Sequence, residues 1–474
     1  MTIEIAPQFW GEPERIAKIP KPPELGVGGQ KTPTQTSIQP SQFTIHNSPM
    51  TTNFSAQVYQ NAYLPEGSRE VNAIMTIVAD GEEGTSVNST EKVFGIICDI
   101  SGSMDGEKMV AAKSAIAKLI ELLPEETYFF VVTGSSKATL LCAPARATLG
   151  AKQAAIASLR GVSASGGTVI SKWLQLALQQ FSNYPNAIRQ ALLLTDGQND
   201  RSDSTGLETV LVSCDKQFQC DCRGVGTDWV VAQLQKISQA LLGTADIIAN
   251  AAAIEADFTA ILGDAMSKNI SDVSLRLWTP QGTTVMFCKQ VSPTIVDITQ
   301  KAKVVSAQIS DYPTGAWGSQ ESRDYHVCLQ VKPGNIGDEM LAGRASLVYV
   351  QNGAEVKIAE SKILAIWTDD EVRSAKIDRT VAHYTGQAEL AQSIQEGLDA
   401  RTKGNFDVAT AKLSRAVQLA HESGNEATTK LLRQVVDIDD ASTGTIRIKR
   451  NVQKEDEMAL ETRSTKTTRI KRGE

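Results

Sequence analysis

The chain has 474 residues, 41% of them hydrophobic and 21% charged, with a net charge of −7. That length exceeds a single hydrophobic core and predicts two or three domains, while the acidic balance argues against broad nucleic-acid binding. A membrane span needs about 20 residues without charge, and the most apolar candidate, Leu241 to Leu262, is interrupted by Asp246, Glu255 and Asp257.

Residues 1–48 are rich in Pro, Thr, Gln and Gly, as in Pro20-Lys21-Pro22-Pro23 and Gly26-Val27-Gly28-Gly29. Such a composition buries too little to fold alone and predicts an extended arm. The opening Met-Thr-Ile-Glu-Ile-Ala-Pro lacks the basic start and apolar run of a secretory leader, and seven cysteines, an odd number, fit a reducing compartment, so a cytoplasmic location is the expectation. Residues 49–90 turn strand-like, with Glu70 to Ala79 the clearest run, before a turn-rich break from Asp80 to Ser89.

Residues 91–267 alternate short apolar strands with helical patterns, which predicts a doubly wound parallel sheet. The strand Val93 to Cys98 ends in Asp99-Ile100-Ser101-Gly102-Ser103-Met104. One carboxylate and two hydroxyls on one loop at the carboxyl edge of a sheet are hard oxygen donors suited to Mg²⁺ or Mn²⁺. The same residues also suit a turn that caps the helix beginning near Glu107. Two later segments favour the metal: Ser165-Gly166-Gly167-Thr168 precedes a helical stretch, and the strand Ala191 to Thr195 ends at Asp196. Cys214, Cys220 and Cys222 lack a usual zinc spacing and predict buried free thiols, and Gly224-Val225-Gly226 lacks the third glycine of a dinucleotide loop.

With all three segments, residues 91 to 265 resemble the von Willebrand factor type A (VWA) family, whose metal ion-dependent adhesion site uses an Asp-x-Ser-x-Ser loop, a distant Thr and a distant Asp. The resemblance implies metal ligation by Asp99, Ser101, Ser103, Thr168 and Asp196, directly or through water. The implied ion is Mg²⁺, with Mn²⁺ or Ca²⁺ as alternatives. In that family the outside ligand is usually a Glu or Asp of a partner protein, so the ion acts as a docking bridge.

Residues 268–369 change to a period of two, as in Val273, Leu275 and Leu277 and in Tyr325, Val327, Leu329 and Val331, which is antiparallel material. Together with residues 49–90 they are expected to form one β-sandwich into which the VWA domain is inserted. Residues 370–438 read as a small helical unit of tetratricopeptide type around Gly404-Asn405-Phe406 and Ala409 to Ala420, either a cap on the sandwich or a docking surface.

Residues 439–474 are expected to be a flexible, basic, Thr-rich tail, either solvated and folded back on the acidic body or a ligand segment: from Ala441 onward there are nine Lys/Arg against five Asp/Glu. Thr445 and Thr467 each have Ile three positions later. That pattern resembles the phosphothreonine ligands of forkhead-associated domains; Thr467, then Thr465 beside it, and Thr445 are the candidate phosphorylation sites. The whole arrangement resembles bacterial cytoplasmic VWA proteins that act beside Ser/Thr kinases, phosphatases and forkhead-associated proteins. The expected function is a non-enzymatic interaction scaffold. The alternatives are a metal-dependent phosphohydrolase, for which the four histidines at 46, 326, 383 and 421 all lie outside the α/β unit, and an adaptor of an ATP-driven remodelling or metal-insertion complex.

Overall fold

The computed structural model describes residues 53–80, 91–248, 253–351 and 354–470; the expected N-terminal arm and the break after Asp80 lie outside them. Strands β1 (Asn53–Gln60), β2 (Tyr63–Pro65) and β3 (Glu70–Asp80) come first. An α/β unit follows: β4 (Lys92–Asp99), α1 (Glu107–Leu122), β5 (Tyr128–Gly134), β6 (Ala138–Arg146), α2 (Leu149–Arg160), α3 (Ile170–Phe181), β7 (Ile188–Thr195), α4 (Ser204–Cys214), β8 (Gln219–Val225), α5 (Val231–Ala240), β9 (Ala245–Ile248) and α6 (Ile254–Ser267). Eight strands succeed it: β10 (Lys268–Trp278), β11 (Thr284–Ser292), β12 (Val296–Asp297), β13 (Lys303–Ser306), β14 (Ile309–Gly318), β15 (Ser322–Gln330), β16 (Glu339–Gln351) and β17 (Ala354–Thr368). The C-terminal part holds α7 (Glu371–Ser374), α8 (Arg379–Thr402), α9 (Phe406–Glu422), α10 (Glu426–Val435), β18 (Val436–Asp440), β19 (Thr445–Ile448) and α11 (Lys454–Arg463).

The α/β sheet has the order β6-β5-β4-β7-β8-β9. Central β4 buries both faces, Val93 and Ile97 toward one helical layer and Phe94, Ile96 and Cys98 toward the other, which is why it reads as an unbroken apolar run. The sheet is parallel except for β6, which pairs antiparallel with β5 at the edge. This edge strand escapes sequence patterning because its face is half-exposed and it carries Pro144, a residue that edge strands tolerate. All seven cysteines are free, and Cys214, Cys220 and Cys222 pack in one core with Phe181 and Leu193.

Two sheets, β1-β3-β15-β11-β12 and β13-β14-β10-β16-β17-β2, antiparallel except where β2 runs parallel to β17, enclose a core containing Met75, Leu275, Trp317, Tyr325, Leu347 and Trp367. Because β3 pairs with β15 and β2 with β17, strands on both sides of the α/β unit share one sandwich. The unit is therefore an insertion between β3 and β10.

One sandwich residue makes stability depend on pH. His326 on β15 is buried, its Nε2 lies 2.9 Å from Asn72 Oδ1, and burial, reinforced by Lys289, lowers its pKa from 6.5 to about 4. Between those values the unfolded imidazole is protonated while the folded one is not, so stability falls as the pH drops from 6.5 toward 4. The contribution is roughly 3 kcal/mol. Urea unfolding at neutral pH and near pH 4 will measure it; the His326→Gln variant should lose less across that interval, and an identical loss would assign the effect to another group.

In the C-terminal part, Gly404 and Gly424 adopt positive φ at the ends of α8 and α9, and the following Asn405 and Asn425 accept bonds from Val408 N and Thr428 N to cap α9 and α10. This pairing of a left-handed glycine stop with an asparagine start makes tight helical turns. Leu390, Ile394 and Leu398 of α8 pack on Leu413, Val417 and Ala420 of α9, while Val381 and Tyr384 join Ile74 and Val291 of the sandwich.

The expectation of a flexible tail from residue 439 is corrected. Strands β18 and β19 form an antiparallel hairpin, and α11 follows, its Leu460 fully buried in the helical core and its Met458 in the core of the α/β unit. Beyond it, Arg463 and Lys466 bind Asp246 of β9 at 2.8 and 2.5 Å, and Arg469 reaches Asp324 at 3.2 Å. These three basic residues are the counter-ions of buried acids elsewhere. Single apolar residues spaced among charges leave no periodic signal.

Candidate metal centre

Parallel pairing of β4 with β7 sets Cys98 opposite Leu194, so Asp99 and the Thr195-Asp196 pair emerge side by side at the carboxyl edge of the sheet. Asp99 and Asp196 have no exposed surface, and Ser101 has 2%. Asp99 Oδ1 accepts the Ser101 backbone N–H at 2.7 Å, and Thr195 Oγ1 donates to Oδ2. Ser103 Oγ donates to Asp196 Oδ1 at 2.7 Å and lies 3.1 Å from Ser101 Oγ.

Gly197 shows where these groups converge. A Cβ there would stand 3.1 Å from Thr168 Oγ1, 3.3 Å from Ser103 Oγ and 3.8 Å from Ser101 Oγ. Three hydroxyls thus border one small space that a glycine keeps open, with two buried carboxylates beside it. Burial, and the neighbouring Asp196 charge, push the Asp99 carboxyl above its ordinary value against the opposing hydrogen bonds of Thr195 and Ser101. Two carboxylates held out of water favour a cation between them.

Backbone bonds between loops hold the constellation. Gly102 N donates to Gly166 O at 2.9 Å, Ser165 N to Ile100 O at 2.7 Å and Asp200 N to Thr168 O at 2.8 Å. On α3, Trp173 lies against Gly134, where a Cβ would approach its ring to 2.3 Å, and Trp173 Nε1 donates to Ser135 O at 2.8 Å. That close approach seats the Thr168 loop on the sheet.

The set fits a hard divalent ion: two carboxylates and three hydroxyls, with neither thiolate nor imidazole. Among the described residues there is no group of three or more His, Cys, Asp and Glu placed to hold a metal, and hydroxyls make up most of this donor set. Sequence patterning missed two neighbours, Thr195 and Lys108. Thr195 supports Asp99, and its position directly before Asp196 was the available signal. Lys108 Nζ lies 2.5 Å from Asp196 Oδ2 and 3.7 Å from Asp228. Asp203 accepts from Ser171 N at 3.0 Å and is tied to the start of α3, away from the hydroxyl cluster.

The three candidate phosphoacceptors stand in different settings. Thr467 is half-buried: its N–H donates to Pro293 O at 3.0 Å and its Oγ1 to Val291 O at 2.6 Å. Thr465 O accepts from Ile295 N at 2.8 Å. Thr445 is exposed on the hairpin, with its Oγ1 2.8 Å from that of Thr443.

Comparison with known proteins agrees with this architecture. Residues 95–247 match the family model of the von Willebrand factor type A domain, and residues 418–464 match that of the von Willebrand factor type A C-terminal domain. The solved von Willebrand factor type A protein from Catenulispora acidiphila is 42% identical, with a TM-score of 0.84 over 90% of this chain and 100% of that one. The ArnB paralog VWA2 from Sulfolobus acidocaldarius shares the fold at 15% identity, with a TM-score of 0.54 over 88% of this chain and 98% of that one. An uncharacterized protein of Synechocystis is 27% identical over 209 residues, 43% of this chain and 49% of its own length, so the match spans about half of that relative. With the 42% identical structure covered over its whole length and two segments of the chain matched by von Willebrand factor type A models, the protein belongs to the von Willebrand factor type A family.

Proposed function

We propose that this chain is a metal-dependent protein interaction scaffold that docks a partner's Asp or Glu through an ion held by Asp99, Ser101, Ser103, Thr168 and Asp196. The observation that carries it is the meeting of three hydroxyls around Gly197 beside two buried carboxylates. When bound, Mg²⁺ supplies an exchangeable position for an outside carboxylate. The protein's own groups do the rest: Asp99 and Asp196 provide charge in a dry setting, Thr195 and the Ser101 N–H orient Asp99, and the laced loops keep the hydroxyls aimed inward. Because the Ser and Thr donors are neutral, Asp99 and Asp196 supply all of the negative charge that these five residues offer the ion.

The test is capture from native lysate with three baits: wild type, wild type with chelator, and Gly197→Ala, whose methyl would fill the space between the hydroxyls. A partner lost from both altered baits supports metal-bridged docking; a partner captured equally by all three would sink it.

A second element is regulation in Ser/Thr kinase signalling. In this proposal Thr445, exposed on its hairpin, is open to a kinase as the protein stands, and Thr467 and Thr465 become acceptors when their segment leaves Val291, Pro293 and Ile295. A phosphothreonine followed by Ile at the third position would then offer a forkhead-associated domain its ligand. A phosphohydrolase would call for a second ion or a positioned base, and no observation favours it or the ATP-driven adaptor.

A further inference from the structure

One cation is built into this site. Lys108 stands in the first turn of α1, and its Nζ meets Asp196 Oδ2 at 2.5 Å on one side and Asp228 at 3.7 Å on the other. Asp196 is fully buried, Asp228 is 68% exposed, and Lys108 is 30% exposed, so the ammonium sits at the mouth of the pocket. Its stem passes the loop after β8, where a Cβ added to Gly226, at φ 68°, would stand 3.7 Å from Lys108 Cε. Asp196 divides its two oxygens between Ser103 and Lys108.

The charge balance follows. Asp99 and Asp196 together offset a divalent ion, but the Lys108 ammonium already answers one of those charges. With Lys108 in place, a bound Mg²⁺ leaves the buried pair Asp99 and Asp196 one negative charge short, and Asp228, 68% exposed, offsets that charge only through solvent. We propose that Lys108 is a built-in counter-cation that weakens metal binding on its own and makes tight binding depend on a carboxylate from outside. This inference rests on metal binding at Asp99 and Asp196, and it adds the residue that couples ion and partner. Like charges that share a half-buried pocket repel far more than in water, so removing the ammonium should tighten the ion by about tenfold. The same removal should lessen what an outside carboxylate adds.

The experiment is calorimetric titration of Mg²⁺ into wild type, Lys108→Met, Lys108→Arg and Asp228→Asn, with and without acetate as a minimal carboxylate. Lys108→Met should bind Mg²⁺ about tenfold tighter than wild type and gain less from acetate. Lys108→Arg, which keeps the charge, should stay near wild type. Asp228→Asn, an exposed change that leaves Lys108 to Asp196 alone, should bind more weakly. Melting in chelator supplies a second readout: Lys108→Met should melt below wild type, because Asp196 loses its ammonium, and should gain more from added Mg²⁺. If wild type binds and Lys108→Met binds no tighter, the counter-cation role is overturned while the metal site stands. Should Lys108→Met not fold, Asp228→Asn with unchanged or tighter binding overturns it instead. Absence of Mg²⁺ binding in all four proteins would overturn the metal site itself, and this inference with it.

Discussion

Asp99→Ala is expected to remove Mg²⁺ binding, lowering affinity by more than about a hundredfold, while leaving the α/β unit folded. Asp99 provides one of only two carboxylates among the five donors, and neutral hydroxyls cannot replace that charge for a strongly hydrated ion. The effect on stability should be small because two terms oppose each other. Alanine leaves the buried Thr195 hydroxyl and Ser101 N–H without their acceptor, which costs about 1–3 kcal/mol for each group that finds no substitute. It also relieves the burial and the Asp196 repulsion that raise the Asp99 carboxyl. Calorimetric titration with Mg²⁺, with thermal melting in chelator as the folding control, tests both halves. Retained affinity would mean that the ion, if bound, sits elsewhere; a collapsed melt would make Asp99 a structural residue first.

Deletion of residues 441–474 is expected to cost more than about 5 kcal/mol, the opposite of what a ligand tail would do. Leu460 has no exposed surface, Met458 has 6% and Ile446 has 9%; losing one fully buried leucine alone costs about 2–5 kcal/mol. The deletion also strips Arg463 and Lys466 from Asp246, which is 8% exposed, and Arg469 from Asp324, which is 1% exposed. Burial alone would raise the Asp246 carboxyl, and Lys466 and Arg463 more than reverse it, holding it below its usual value. That contribution is present above the ordinary value of 3.8 and lost as the pH falls through the lower folded value. Urea unfolding of the full chain and the deletion, compared at neutral pH, measures the difference. Equal midpoints would show that the segment docks without stabilising the fold.

The central strands were legible because two-sided burial demands continuous apolar runs, and β4 and β7 have them. Helix α1 was legible from Met109, Ala112, Ile116 and Leu119 on one face. Strands β6 and β9 were not, since one is a half-exposed edge and the other has four residues. Asp246 looked like an interruption in an apolar stretch, and only the segment that folds onto it explains a buried aspartate there.

By itself the sequence determined the alternation of strand and helix, the flanking sets of antiparallel strands, and the meeting of Asp99 and Asp196 at one sheet edge, because residues at the carboxyl ends of adjacent parallel strands lie side by side whatever the loops do. Only the tertiary structure decided which residues tune those carboxylates and what the C-terminal segment is. Lys108 meets Asp196 across 88 residues and Arg463 meets Asp246 across 217. Such pairings have no period and no spacing; they exist only once the packed core has set two distant surfaces face to face, where a buried acid must find its cation.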